Sequence, residues 1–390
     1  MINLSTPNLI GNELKYLNDC INTGWISTAG KYVDRFEKKI SRYTNSKYAI
    51  ACINATVALQ ISLKLLNVKA GDEVIVPTLT FISPINAVLY NNASPIFMDC
   101  DKFCNIDIEK TIEFIVTETK FVNGFTYNKK TNKKISALIV VHVWGNAVWL
   151  DKIKKICLKK NIKILEDASE SLGSYYTSGI YKGKFTGTIG DIGCISFNGN
   201  KIITSGGGGV ILTNNKSVAK DALYLTTQAK DDSIKYIHNN IGYNYRLTNV
   251  HAAIGLAQIE KIKIFLKNKK NIHTKYLKSI SKISGLSILK TPSYAENNCW
   301  LNILKIDPKI FPHKKEKIMS LLHALKIQTR PIWHLNHRQK FLRKFQSYKI
   351  NNAYDLVKNS LCIPSSSHLN KNEFDLVVAA INNISSKKKF

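Results

Sequence analysis

The stretch Cys194-Ile195-Ser196-Phe197-Asn198-Gly199-Asn200-Lys201, continued by Ile202-Ile203-Thr204-Ser205 and the glycine run Gly206 to Gly209, decides how this chain is read. A short apolar run, the pattern of a buried strand, ends in polar residues. A single lysine then stands before backbone that has no Cβ and leaves room beside it. A lysine held in a dry pocket has a lowered pKa, and its amine can then attack an aldehyde. Taken alone, the segment fits a solvated loop lysine in a lysine-rich chain equally well.

The preceding strand pattern shifts that balance. Ile162-Lys163-Ile164-Leu165 reads as a buried strand that runs into Glu166-Asp167-Ala168-Ser169-Glu170. An acid just past a strand's carboxyl end is where open α/β sheets place their site residues. A carboxylate and a lysine on neighbouring strand ends suit pyridoxal phosphate, which needs a lysine for its Schiff base and an acid at its pyridinium nitrogen. Asp167 paired with Lys201 is therefore the central expectation.

Strands and helices alternate on both sides of this pair. Tyr48 to Ile53 reads as a strand turned by Asn54-Ala55-Thr56 into a helix from Val57 to Leu66, and such a helix N-terminus is a ready anion site. Ala55 and Thr56 are thus phosphate candidates, with a plain helix cap as the alternative. Val74-Ile75-Val76 leads to Pro77 and on to Phe81, an aromatic placed to stack on a flat ring or merely to pack a helix. Ile135 to Val143 is a further strand, and Lys120 to Lys134 a lysine-rich excursion. Trp25, in the loop Gly24 to Gly30, would face a ligand or plug a core edge.

The pattern predicts an α/β fold with a large, mostly parallel sheet and a smaller α+β domain at the C-terminus. The boundary is placed between 1–255 and 256–390; beyond the helix that starts at Ala252 and runs to Lys261 or about Leu277 the texture changes, and strands are expected at Leu286–Leu289, Trp300–Ile306 and Ile327–Thr329. No G-x-G-x-x-G marks a dinucleotide site.

The 390 residues are 44% apolar and carry a net charge of +29. Only six of the 56 basic residues are arginine, the residue base-reading sites favour, and the lysines are spread along the chain, with clusters at Lys267, Lys269 and Lys270 and at Lys387 to Lys389. Charge of this kind reads as compositional bias, and no nucleic-acid partner is expected. No apolar run reaches membrane-spanning length, and the start of the chain lacks a signal pattern, so a cytoplasmic protein without a membrane partner is expected. The eight cysteines form no C-x-x-C pair and read as buried thiols; no metal site is expected, Cys100 and Cys104 beside Asp99 and Asp101 included.

Ordered motifs make the chain recognisable: Gly24-Trp25 with Phe36-Glu37, Gly71 to Pro77, Glu166-Asp167-Ala168, Ser196-Phe197 with Lys201, and Gly242-Tyr243-Asn244-Tyr245-Arg246. On these it resembles the DegT-type family of pyridoxal-phosphate nucleotide-sugar aminotransferases along nearly its whole length. Glu166 to Gly173, Ser196 to Thr204, Thr226 to Asp232 and Thr329 to Trp333 look most like the branch that aminates C4 of nucleotide-linked 2-acetamido-2,6-dideoxy-4-keto-hexoses, for bacillosamine and legionaminic acid. The resemblance implies a fold-type I aminotransferase with a seven-stranded sheet, acting as a homodimer with shared sites.

It also implies roles. Lys201 would hold the cofactor as a Schiff base and move the proton between cofactor and sugar. Asp167 would bond the pyridine nitrogen, Phe81 would stack on the ring, and Ala55, Thr56 and Ser196 would form the phosphate cup, with Asn244 reaching in from the neighbouring subunit. Glu170 stands where many family members have glutamine or histidine near the phenolic oxygen, and a carboxylate donates there only when protonated. Trp25, Asn198, Arg330 and His337 are the substrate candidates, with Gln339 beside them. L-Glutamate would be the donor, passing its amino group through pyridoxamine phosphate in a ping-pong cycle. A GDP-perosamine-type substrate is the alternative. A pyridoxamine-phosphate-dependent sugar 3-dehydratase is a rival that Lys201 disfavours, since histidine replaces the lysine there. A non-enzymatic nucleic-acid-binding protein is the rival of another class.

Overall fold

In the computed structural model the described residues are 1–385; the Lys387 to Lys389 cluster lies outside them. The large sheet runs in the order Tyr48–Cys52, Gly209–Thr213, Ile192–Ser196, Lys163–Asp167, Ile135–Val141, Glu73–Pro77, Ser94–Met98, Ser347–Tyr348. Gly209–Thr213 runs antiparallel to both its neighbours, and the other pairings are parallel. The expected α/β class stands. The sheet has eight strands rather than seven, because the two-residue strand Ser347–Tyr348, too short to show a period, returns to the edge beside Ser94–Met98.

Helices cover both faces, so the central strands are buried on both sides and read as unbroken apolar runs; every residue of Ile135–Val141 is buried. The helix after Tyr48–Cys52 spans Ala55–Leu65 and is capped by Asn54, whose side chain accepts from Val57 N at 3.0 Å. The lysine-rich excursion is a hairpin of Thr119–Val122 and Phe125–Asn128.

A second sheet, wholly antiparallel, is built from Leu286–Ile288, Asn302–Ile306, Ser360–Ile363 and Arg330–Pro331. Helices Ile262–Ile280, Lys315–Ala324 and Lys371–Ser385 pack around it in a core of its own. Residues 255 and 256 lie inside the helix Asn249–Glu260. The chain also crosses that boundary: Ile2 bridges Ile327, and Ser347–Tyr348 joins the large sheet. The division at 255/256 is therefore retained only as a proposal.

Candidate active site

Parallel pairing decides what meets at the carboxyl edge of the large sheet. Asp167 closes its strand opposite Cys194, and Ser196 closes the next opposite Gly209, which in turn faces Cys52. The turns at 53–56, 78–81, 142–145, 168–171 and 197–208 thus open on one edge. Gly209 is required there by close approach, since a Cβ would lie 2.6 Å from the Ala55 nitrogen.

Lys201 points back into this edge with its side chain 14% exposed, and its Nζ stands 3.8 Å from Oε1 of Glu170. Burial lowers the pKa of the Lys201 amine, and the charges of Glu170 and Asp167 work against that lowering. Asp167 is buried, which raises its pKa, while Ser169 and the charge of Lys201 oppose the rise; Ser169 N donates to its Oδ1 at 2.9 Å. The two expected partners therefore lie close enough for each charge to act on the other's titration.

Burial pushes Glu170 up to about 7 against the pull of Lys201 and of the Trp144 N–H, which donates to its Oε2 at 2.8 Å. A carboxyl near 7 exists in both forms at neutral pH. Trp144 sits at φ 51°, a left-handed conformation rare for a residue with a Cβ, and that conformation aims its N–H at Glu170.

The neighbouring Glu166 faces away from this cluster. It accepts from His142 Nε2 at 2.9 Å, Gly187 N at 2.9 Å, Ile189 N at 2.6 Å and Gly190 N. Val148 N donates to His142 Nδ1 at 3.1 Å, so His142 carries its proton on Nε2 and donates it to Glu166. Likewise Glu37 and Arg246, from two separate motif stretches, meet as an ion pair whose carboxylate also accepts from Ala51 N at 2.6 Å. Both are frame contacts that hold strand ends.

Ala55 and Thr56 open the helix beside Gly209, and Thr56 Oγ1 donates to Ser83 Oγ at 2.9 Å. Ser196 is buried at its strand end, and Asn198 N approaches its Oγ at 3.4 Å. Phe81 is 53% exposed at the same edge and Trp25 is 58% exposed. Asn198 and Asn244 are exposed in their turns; Asn244 bridges Thr227. Arg330 is exposed and, among the described residues, in no salt bridge. Gln339 is half-buried.

His337 is bonded within the protein. Its Nδ1 bonds Thr78 Oγ1 at 2.6 Å and its Nε2 bonds Tyr354 OH at 2.8 Å, so both ring nitrogens are engaged within the protein. His337 remains a substrate candidate that would have to give up one of these bonds to meet a ligand.

The site also includes residues that the sequence reading passed over. The Trp300 ring centroid lies 3.9 Å from Lys201 Nζ, and its Nε1 donates to the Asn200 carbonyl at 2.6 Å. Asn298 Nδ2 donates to the Glu170 and Leu172 carbonyls at 2.8 and 3.0 Å. No local pattern marks them: Asn298 and Trp300 end a mixed polar stretch before the strand Asn302–Ile306.

The chain has relatives over its whole length. A GDP-perosamine synthase of Escherichia coli O157:H7 is 34% identical, with 98% of each chain covered. A UDP-4-amino-4,6-dideoxy-N-acetyl-β-L-altrosamine transaminase of Campylobacter jejuni strain 81-176 is 30% identical, covering 100% of this chain and 99% of its own. Among solved structures, Helicobacter pylori PseC, an aminotransferase involved in the biosynthesis of pseudoaminic acid, superposes with a TM-score of 0.87 at 21% identity over 99% of this chain and 100% of its own, a likeness of fold. With residues 7–382 matching it, the chain belongs to the DegT/DnrJ/EryC1/StrS aminotransferase family.

Proposed function

We propose that this aminotransferase uses pyridoxal phosphate to pass an amino group from L-glutamate to C4 of a nucleotide-linked 2-acetamido-2,6-dideoxy-4-keto-hexose, for glycans of the bacillosamine or legionaminic-acid type. The observation that carries the reading is the buried Lys201 amine, 3.8 Å from the Glu170 carboxylate and within the charge of Asp167, at the carboxyl edge of the sheet. Aminotransferases of this family depend on pyridoxal phosphate, and the residues fit it: a dry amine, a buried acid, a helix N-terminus that Gly209 lets approach, and an exposed aromatic at one edge.

Bound pyridoxal phosphate supplies an electron-accepting ring that stores the amino group between the two half-reactions. The chain's residues do the rest. Lys201 holds the cofactor and moves a proton at Nζ, a task its lowered pKa favours. Asp167 keeps the ring nitrogen protonated. The Ala55 and Thr56 amides with the Ser196 hydroxyl would hold the phosphate, Phe81 would supply an apolar face for the ring, and Glu170 would supply a proton to an oxygen of the cofactor. Asn244 comes from the second subunit of a homodimer. Trp25, Asn198 and Arg330 border the space for the nucleotide sugar. A cytoplasmic location belongs to the same proposal; among the described residues no helix is long and apolar enough to cross a membrane.

A second reading, a GDP-perosamine-type 4-aminotransferase, is favoured by the relative in Escherichia coli. Mass spectrometry of products from a panel of UDP- and GDP-linked 4-keto sugars separates the two: the 2-acetamido substrate alone supports the first reading and the 2-hydroxy substrate alone the second. Lys201→Ala is expected to lose the cofactor's visible Schiff-base band and at least ~10³-fold in turnover; full turnover by that variant ends the assignment, and a deoxygenated ketosugar product would make this a dehydratase.

A further inference from the structure

We propose that Trp300 is a functional residue of this site, its indole face holding the Lys201 ammonium, and that the buried Lys269 is the positioning residue that fixes Trp300 there. The first half rests on reading Lys201 as the reacting amine.

Trp300 is gripped from two sides by lysines of different origin. Lys201, on the turn after Ile192–Ser196, lies 3.9 Å from the ring centroid. Lys269, in the helix Ile262–Ile280, is 3% exposed and donates to the Trp300 carbonyl at 2.9 Å and to the Ser365 carbonyl at 2.6 Å. Both hydrogen-bond partners of Lys269 among the described residues are carbonyls, and the Cys299 thiol is the ionisable group that acts on it. Burial lowers its pKa to about 7. A buried lysine without a carboxylate is costly and is kept where its N–H groups tie down something that matters. What it ties down is the short segment 298–300, which reaches Glu170 through Asn298 and the Lys201 turn through Trp300.

The chemistry gives this contact a purpose. Lys201 has to take up a proton and also return it, so its pKa cannot fall far below neutrality. Burial drives it down. The groups that face the amine and favour its charged form are Glu170 at 3.8 Å, Asp167, and the π-face of Trp300. Both carboxylates titrate, whereas an indole face does not. Trp300 is therefore the constant part of the support.

The test is made on the cofactor-free protein, so that it does not depend on activity. Lys201's ionisation is read from the pH dependence of its acetylation by acetic anhydride, followed on the Lys201 peptide by mass spectrometry. Trp300→Leu is expected to move the titration down by about one pH unit, a tenfold change, and Trp300→Phe, which keeps a weaker π-face, by less. Lys269→Met should shift it in the same direction, and should add nothing once Trp300 is already leucine, which a merely structural role would not produce. Should Lys269→Met fail to fold, Lys269→Gln, a donor on a shorter arm, takes its place. An unchanged or raised titration in Trp300→Leu overturns the role of Trp300. An equal Lys269 effect with and without Trp300 overturns the positioning role. If instead wild-type protein never shows a Lys201-dependent band with pyridoxal phosphate, the functional reading fails and the two titration results still stand on their own.

Discussion

Glu170 is a carboxyl whose chemistry departs from that of an ordinary side chain. Burial holds its carboxyl at about 7, above the ordinary carboxylate range, even with an amine 3.8 Å away. A group raised in the folded state contributes stability that is present below its unfolded value and is lost as pH rises through the folded one. Glu170 should therefore weaken the fold progressively between pH ~4.5 and ~7. Glu170→Gln, which cannot ionise, should remove that slope. In the cofactor-free protein the stability difference between wild type and variant should change by on the order of 2 kcal/mol between pH 5 and pH 8, in favour of wild type at pH 5. Urea midpoints at the two pH values measure it, and a pH-independent difference would place Glu170 in the ordinary carboxylate range. Asp167, Glu170 and Lys201 were legible in the sequence because adjacent parallel strands carry them to one edge. Trp300 and Lys269 were not: their partners Asn200 and Ser365 stand 100 and 96 residues away along the chain, and no local pattern encodes that distance.

At the scale of elements, the turn between Lys163–Asp167 and Ile192–Ser196 explains how the Asp167 edge keeps its shape. Glu166 takes four donors, three of them backbone N–H groups of residues 187–190, and Gly193 lets that turn come so near that a Cβ would sit 2.0 Å from the Gly187 oxygen. Burial alone would raise Glu166, but His142 and the amides outweigh it and leave the carboxyl below its ordinary value. A depressed value contributes stability that is present above the unfolded pKa and lost as pH falls through the folded one, so Glu166 adds to unfolding in acid. Glu166→Gln offers one oxygen and turns an NH₂ toward donors; it should cost about 3 kcal/mol, read as a lowered urea midpoint at pH 7 with an unchanged m-value. A loss below ~0.5 kcal/mol would mean the turn is held elsewhere. The strands of the large sheet were legible as apolar runs with polar ends. The helix Ile108–Thr117, capped by Asp107, was passed over although its apolar residues recur at helical spacing, because charged neighbours dilute the stripe. Ser360–Ile363 was missed as a four-residue run, and the strand expected at Ile327–Thr329 forms at Arg330–Pro331, where its register is set by Cys362 and Leu361. Pairing partners distant in sequence decide such short strands.

At the scale of the whole molecule, one copy of the chain leaves its own site partly open. Phe81 and Trp25 are more than half exposed, and the segment carrying Asn244 has Ile234, Tyr236 and Ile241 turned outward. Apolar surface of this extent calls for a cover. The homodimer proposed above provides one, with Asn244 of each subunit completing the phosphate cup of the other. Shared sites have a consequence that separate sites lack. Lys201→Ala and Asn244→Ala are each expected to be impaired as homodimers, the second through weakened cofactor retention. In a mixed dimer with two-fold symmetry, one site collects both lesions and the other collects neither. Unfolding, mixing in equal amounts and refolding should therefore restore activity to about a quarter of that of wild type, the random share of intact sites. If each site belonged to a single subunit, every site would keep one lesion and mixing would restore nothing. The same preparation, sedimented at its working concentration, should run at about twice the 43.9 kDa chain mass.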